Sequence, residues 1–149
     1  MIDKRIGKTT RLVLPLPPSV NHYWKNGGRG KRVRTDKAKA YSNRVAGAVL
    51  VQGRPSFGKA PVNVEIYLHR SPAGGDIDNF KKGIFDSLTR SGVWDDDSQI
   101  INDHTHIRGK VPGGVVLIDI REATVEEVEI STTIMQEALS TQQYGFSNQ

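Results

Sequence analysis

Two groups of carboxylates stand at opposite ends of one amphipathic stretch. Asp76 and Asp78 lie in the run Gly75-Asp76-Ile77-Asp78-Asn79-Phe80-Lys81-Lys82, and Asp95, Asp96 and Asp97 follow directly on Trp94. Carboxylates brought into contact repel by about 4 kcal/mol per pair in an effective dielectric near ~20. A cluster that stays ionised therefore needs a positive charge inside it, and a divalent cation on oxygen ligands is the obvious one. Such a cation activates water against a phosphodiester. Each group also has a plainer reading. Aspartate is common in turns and at helix N-caps because its side chain accepts local backbone N–H bonds. Asp78 also precedes Lys82 by four residues, the favourable order for a helical ion pair.

The elements between these groups decide whether they can meet. Phe80, Ile84, Phe85 and Leu88 recur at helical spacing, with Asp78 placed to cap the helix, Arg90 near its end and Gly92 to stop it. A helix of about 13 residues rises roughly 20 Å, so its ends do not meet by themselves. The chain must turn at Gly92 and run back along the helix, with Trp94 as the buried anchor of the return. Lys82 lies on the stripe of Asp78 and Asp86, as an ion-pair partner or as a cation beside a reacting phosphate. Lys81 points nearer the apolar stripe, where its stem is expected to lie along apolar surface.

The remaining elements read as a sheet with helices. Arg11 to Leu16 forms a strand that Pro15 places at an edge or ends early, and Pro17 to Asn21 is a rigid turn. Thr35 or Asp36 caps a helix with Tyr41, Val45, Ala48 and Val49 inside, ended by Gly53. Val62, Val64, Ile66 and Leu68 alternate with polar partners as a strand; two more follow at Ile100 to Ile107 and Val115 to Ile120. The expectation is a single two-layer α/β domain with a mixed sheet in the order β-α-β-α-β-β. Residues 1–123 make that domain. Residues 124–149 form an acidic extension, helical from Thr124 to Ser140 and frayed from Thr141.

Charge is concentrated. The chain carries +5 overall, yet Lys25, Arg29, Lys31, Arg32, Arg34, Lys37 and Lys39 face Asp36 alone, so one short segment holds the whole positive excess. Tyr23 and Trp24 open that segment. Cationic side chains meet phosphates and aromatic rings stack on bases, so it suits a nucleic-acid backbone. Without periodicity and rich in glycine, Tyr23 to Arg34 reads as a mobile loop.

Other chemistries fit less well. There are no cysteines, which removes thiolate metal sites, disulfides and a cysteine nucleophile. An EF-hand beginning at Asp76 would need glutamate where Ser87 stands. His104 and His106 share a strand face without a third nearby ligand, and His22 and His69 are isolated. No apolar run approaches the roughly 20 residues of a membrane span, and Met1 to Arg5 lacks the start of a signal peptide. A cytoplasmic protein without a membrane partner is the expectation.

Two blocks resemble a known family. Leu14-Pro15-Leu16-Pro17-Pro18-Ser19-Val20-Asn21-His22-Tyr23 is one, and Asp76-Ile77-Asp78-Asn79-Phe80-Lys81-Lys82-Gly83-Ile84-Phe85-Asp86-Ser87-Leu88, continued from Gly92 to Ile100, is the other. Both resemble the RusA family of Holliday-junction resolvases, over about Leu12 to Ile120. The resemblance implies a homodimeric, Mg²⁺-dependent endonuclease (Mn²⁺ substituting) that nicks four-way DNA junctions symmetrically in recombination and repair, leaving a 5′-phosphate. Such proteins occur in bacteria, many of them encoded by phages or prophages. By motif position the metal ligands fall on Asp76, Asp78 and Asp97, with Asp96 as the alternative to Asp97, and the catalytic lysine on Lys82. The basic segment, from Tyr23, Trp24 and Lys25 through Arg29, Lys31, Arg32, Arg34 and Lys37, would grip the DNA arms. Gly75 stands where the family often has a basic residue, and the acidic extension lies outside the resemblance. The readings kept beside it are a non-catalytic branched-DNA-binding protein using the same basic surface, and a metal-dependent phosphatase.

Overall fold

The strict alternation from Val62 to Leu68 becomes the central strand of a four-stranded sheet. The computed structural model describes residues 9–19, 22–74 and 79–142. The described elements are β1 (Thr9–Leu14), β2 (Trp24–Asn26), β3 (Arg32–Arg34), α1 (Asp36–Val51), β4 (Val62–His69), α2 (Phe80–Arg90), β5 (Ile100–Arg108), β6 (Val115–Glu122) and α3 (Val125–Gln142). A short 3-10 turn, Asp97–Gln99, leads into β5.

The main sheet has the order β1-β6-β4-β5, and β2 pairs with β3 in a separate hairpin. β6 runs antiparallel to both β1 and β4, whereas β4 and β5 are parallel, joined by the α2 crossover. The result is a mixed sheet in an α/β domain. β1 begins two residues earlier than expected and stops at Leu14, before Pro15, on the sheet edge where a missing N–H does least harm.

One face of the sheet is apolar. Leu12, Leu14, Val62, Val64, Ile66, Leu68, Val116, Ile118 and Ile120 are buried there against Tyr41, Val45 and Val49 of α1 and Ile84 and Leu88 of α2. The hydroxyl of Thr35 caps α1 by accepting the N–H of Ala38, and Gly53 follows its end with a φ of +99°. The other sheet face carries Arg11, Glu65, Tyr67 and Asp119, with Arg11 paired to Asp119 at 2.7 Å.

Three local expectations change. The segment Tyr23 to Arg34 is a β-hairpin with three-residue strands, registered Trp24 to Arg34 and Asn26 to Arg32, not an unstructured loop. Its tip closes through Gly27 N–H to Lys31 C=O at 2.8 Å, and Gly28, Arg29 and Gly30 all have positive φ. Secondly, the N-cap of α2 is Asn79, left-handed at φ 58°, with no side-chain capping bond; Asp78 lies outside the described residues. Thirdly, Lys81 does not merely lie along the apolar stripe: its ammonium pairs with Asp103 of β5 at 2.9 Å.

The expected C-terminal helix is present as α3, without a buried residue of its own. The tail expected beyond it, 143–149, lies outside the described residues.

Candidate active site

Gly92, with φ of +79°, turns the chain back along α2 as anticipated. Trp94 then anchors the return at 1% exposure. Its indole N–H donates to Thr89 Oγ1 at 2.7 Å, and its ring meets Phe85 edge-on at 5.9 Å. The acids that follow are held by Gln99. The Gln99 amide oxygen accepts from the N–H groups of Asp95 and Asp96 at 2.9 and 2.8 Å, while its NH₂ donates to the carbonyls of Gly58 and Ala60.

That arrangement separates Asp96 from Asp97. Asp96 is the N-cap of the 3-10 turn, and its carboxylate accepts the N–H of Ser98 at 3.0 Å. The bonds to Ser98 hold its carboxyl below the usual range. Asp97 is the first residue of the turn and exposed, and among the described residues its side chain makes no hydrogen bond or ion pair. Of the pair Asp96 and Asp97, Asp97 is the one whose carboxylate no described residue engages, and the exposed Asp95 carboxylate is likewise without a partner among the described residues. Asp76 and Asp78 lie outside the described residues. Among the described residues no three histidine, aspartate or glutamate side chains gather as a metal site. His106 instead bonds Glu65 at 3.0 Å and stacks on Tyr67.

Lys82 is exposed on the first turn of α2. Its ammonium lies 5.7 Å from the ring centroid of Trp24, and the Arg32 guanidinium lies 5.8 Å from the same ring. Trp24 thus joins the hairpin to the candidate lysine through cation–π contacts.

The hairpin divides its basic residues. Lys25, Arg29, Lys31, Arg32 and, just beyond it on α1, Lys37 are exposed. Arg34 turns inward, with a side chain only 17% exposed, and donates to Ser42 Oγ at 2.9 Å. Tyr23 is 2% exposed and presents no ring to solvent. Its hydroxyl donates to Asp86 Oδ2 at 2.5 Å. Burial first, and then the bond to Asp86, push the phenol up, so it stays a donor. The hairpin also touches α2 closely: a Cβ at Gly83 would stand 3.3 Å from Pro17 Cβ and 3.4 Å from the Tyr23 ring.

Asp86, Asp103 and Gly83 did not stand out as site residues in the sequence. Asp103 pairs across 22 positions and Tyr23 with Asp86 across 63, and no local spacing signals either contact.

Comparison with known proteins decides the family. The family model for endodeoxyribonuclease RusA matches residues 15–121. The chain belongs to the RusA family. The crossover junction endodeoxyribonuclease RusA of Enterobacteria phage HK97 is 35% identical over 114 residues, 75% of this chain and 93% of that protein. The protein of the same name from Escherichia coli K12 is 34% identical over 96 residues, 63% of this chain and 78% of its own. That of Enterobacteria phage 82 is likewise 34% identical over 96 residues. The RusA match takes in the hairpin, α2 and the acidic turn, and it ends before α3 begins.

Proposed function

We propose that this protein is a crossover junction endodeoxyribonuclease, which resolves four-way DNA junctions by paired nicks and uses Mg²⁺ held by Asp76, Asp78 and Asp97. The observation that carries the reading is Lys82, set one turn into α2 beside the hairpin's Trp24 and directly after the run containing Asp76 and Asp78, in a RusA-family chain. The oxygen-only donor set suits a hard divalent cation, and the unengaged Asp97 carboxylate fits that role better than Asp96, which is spent on its cap. Bound there, Mg²⁺ would supply a Lewis acid and an acidified water for in-line attack that leaves a 5′-phosphate.

The chain's own residues supply the rest. Lys82 is a fixed cation for the non-bridging oxygens, whose charge grows as phosphorus becomes five-coordinate. Lys25, Arg29, Lys31 and Arg32 project along one short hairpin and meet the phosphates of an arm. Lys37 extends this surface onto α1. A homodimer would present two such sites to a substrate with approximate two-fold symmetry.

The test is strand scission of a synthetic four-way junction, with Mg²⁺ or EDTA, by the wild type and by Asp76→Asn. The expected outcome is paired nicking only by the wild type and only with the cation. Binding without scission by both proteins would sink the nuclease reading and leave a branched-DNA binder. Turnover of a small phosphate ester without any nicking would point to a phosphatase.

A further inference from the structure

Asp86 is a carboxylate that the proposed chemistry does not use, and it lies in a polar cluster that joins the hairpin, α1 and α2. One of its oxygens, Oδ2, takes the hydroxyl of Tyr23 at 2.5 Å and the Nε–H of Arg90 at 3.0 Å. Arg34 Nη1 stands 3.8 Å from the same oxygen. Arg34 continues into Ser42 Oγ, which lies 3.0 Å from Ser87 Oγ in a buried pair joining α1 to α2. Two of these partners belong to the root of the hairpin: Arg34 is the cross-strand partner of Trp24, and Tyr23 immediately precedes Trp24. The other end of the cluster is α2, where Lys82 stands one turn before Asp86 and shares its face.

We infer that Asp86 is a positioning residue: its carboxylate latches the hairpin root, through Tyr23 and Arg34, onto the helix that carries Lys82. The inference rests on the nuclease reading and adds to it how the DNA-gripping element and the candidate lysine keep a fixed spacing. With the latch closed, Tyr23 packs edge-on against Trp24 at 5.3 Å, and Trp24 is held against the Lys82 ammonium. With the latch open, Arg34 and Arg90 lose their shared counter-charge and the Trp24 ring is no longer fixed relative to α2. Exposed lysines and arginines still find phosphates, but the bound strand is no longer registered against Lys82. Misplacement by about 1 Å is enough to cost a rate factor of roughly 100 in positioned chemistry. Asp86 itself is surrounded by donors and is not a metal ligand.

The experiment compares wild type, Asp86→Asn and Tyr23→Phe. Tyr23→Phe keeps the ring against Pro17 and Gly83 and removes only the hydroxyl. Three quantities are read: junction affinity in EDTA, the single-turnover nicking rate at saturating junction with Mg²⁺, and ¹⁹F NMR of protein labelled with 5-fluorotryptophan. The Trp24 resonance is assigned with Trp24→Phe. In both variants the nicking rate is expected to fall about tenfold or more, with affinity kept within about threefold. The Trp24 resonance should shift or broaden while that of Trp94 stays in place. An unmoved Trp24 resonance, or a saturating rate within about twofold of wild type in both variants, overturns the latch. So does a change at Trp94 equal to that at Trp24, since the loss would then be general loosening. If the wild type nicks no junction the nuclease reading fails, and the ¹⁹F comparison still decides whether Asp86 fixes the hairpin.

Discussion

Two adjacent aspartates, Asp96 and Asp97, share a turn and a charge but differ in their contacts. Asp96 spends its oxygens on the cap, and asparagine at that position still offers an oxygen to Ser98 N–H. Asp96→Asn should therefore nick junctions within a few fold of wild type, and Asp96→Ala, which removes the cap, should melt at a lower temperature than Asp96→Asn. Asp97→Asn should melt at the wild-type temperature and lose at least about 100-fold in nicking rate, since a neutral amide is a poor ligand for a hard cation. The reverse ranking, read in the same junction assay, would make Asp96 the ligand. Glu127 offers a second residue-level prediction. Its carboxylate pairs with Arg121 at 2.7 Å, and that bond, followed by the Thr124 N–H, lowers its pKa to about 2. A group depressed in the folded state stabilises above its unfolded pKa, and the stabilisation fades as pH falls toward the folded value. The gap in melting temperature between wild type and Glu127→Gln should be full above about pH 5, a few degrees for a partly exposed pair, and should close between about pH 4.5 and 2. A gap of constant size down to pH 2 would contradict the pairing.

At the level of elements, the hairpin departs furthest from expectation. Alternation and helical spacing made β4, α1 and α2 legible, because each buries one regular face in the core between sheet and helices. The hairpin has strands of only three residues, too short for periodicity to register, and its support comes from Tyr23 and Arg34 both reaching Asp86, far along the chain. The start of α3 did carry a local signal, Thr124-Val125-Glu126-Glu127. It is a capping box, in which Thr124 Oγ1 accepts the Glu127 N–H at 3.1 Å and Glu127 Oε1 accepts the Thr124 N–H at 2.9 Å. Of the candidate site, the acidic turn and its Trp94 anchor were readable from Gly92 and Trp94. The difference in contacts between Asp96 and Asp97 was not, since it depends on where Ser98 and Gln99 point. The hairpin also sorts residues that composition alone lumps together. Replacing Lys25, Arg29 and Lys31 by alanine should reduce the slope of log affinity against log salt by about 2 to 3, at about 0.9 per phosphate contact. Arg34→Ala should leave that slope nearly unchanged, because its guanidinium faces Ser42 and Asp86. Equal changes from both would mean that Arg34 turns outward on DNA. For α3, removing residues 130–149 keeps the Glu127 contacts and takes away no buried side chain of the helix. The melting temperature should stay within about 3 °C, and a larger drop would mean that the helix packs on something in solution.

Across the whole molecule, positive charge projects from one hairpin, whereas α3 carries Glu126, Glu127, Glu129 and Glu137 with no lysine or arginine. Such an asymmetry orients a protein on a polyanion with the basic edge inward and the acidic helix away. In the proposed reaction one protomer brings one hairpin and one Lys82 to the junction, and so acts on one strand. Paired symmetric nicking therefore requires two copies on one junction, each cutting the strand nearest its own α2. Mixing gives a sharp test. Wild-type protein refolded with a tenfold excess of Asp97→Asn places most active subunits beside an inactive partner, as random pairing requires. On a supercoiled plasmid that extrudes a cruciform, two nicks in one binding event give linear DNA and one nick gives an open circle. Wild type alone should yield chiefly linear product, and the mixture chiefly open circle. Once nicked, the plasmid loses the supercoiling that holds the cruciform out, so no second nick follows. If the mixture still gave linear product in proportion to the wild type added, each active subunit would be cutting both strands, and the two-site arrangement would be wrong.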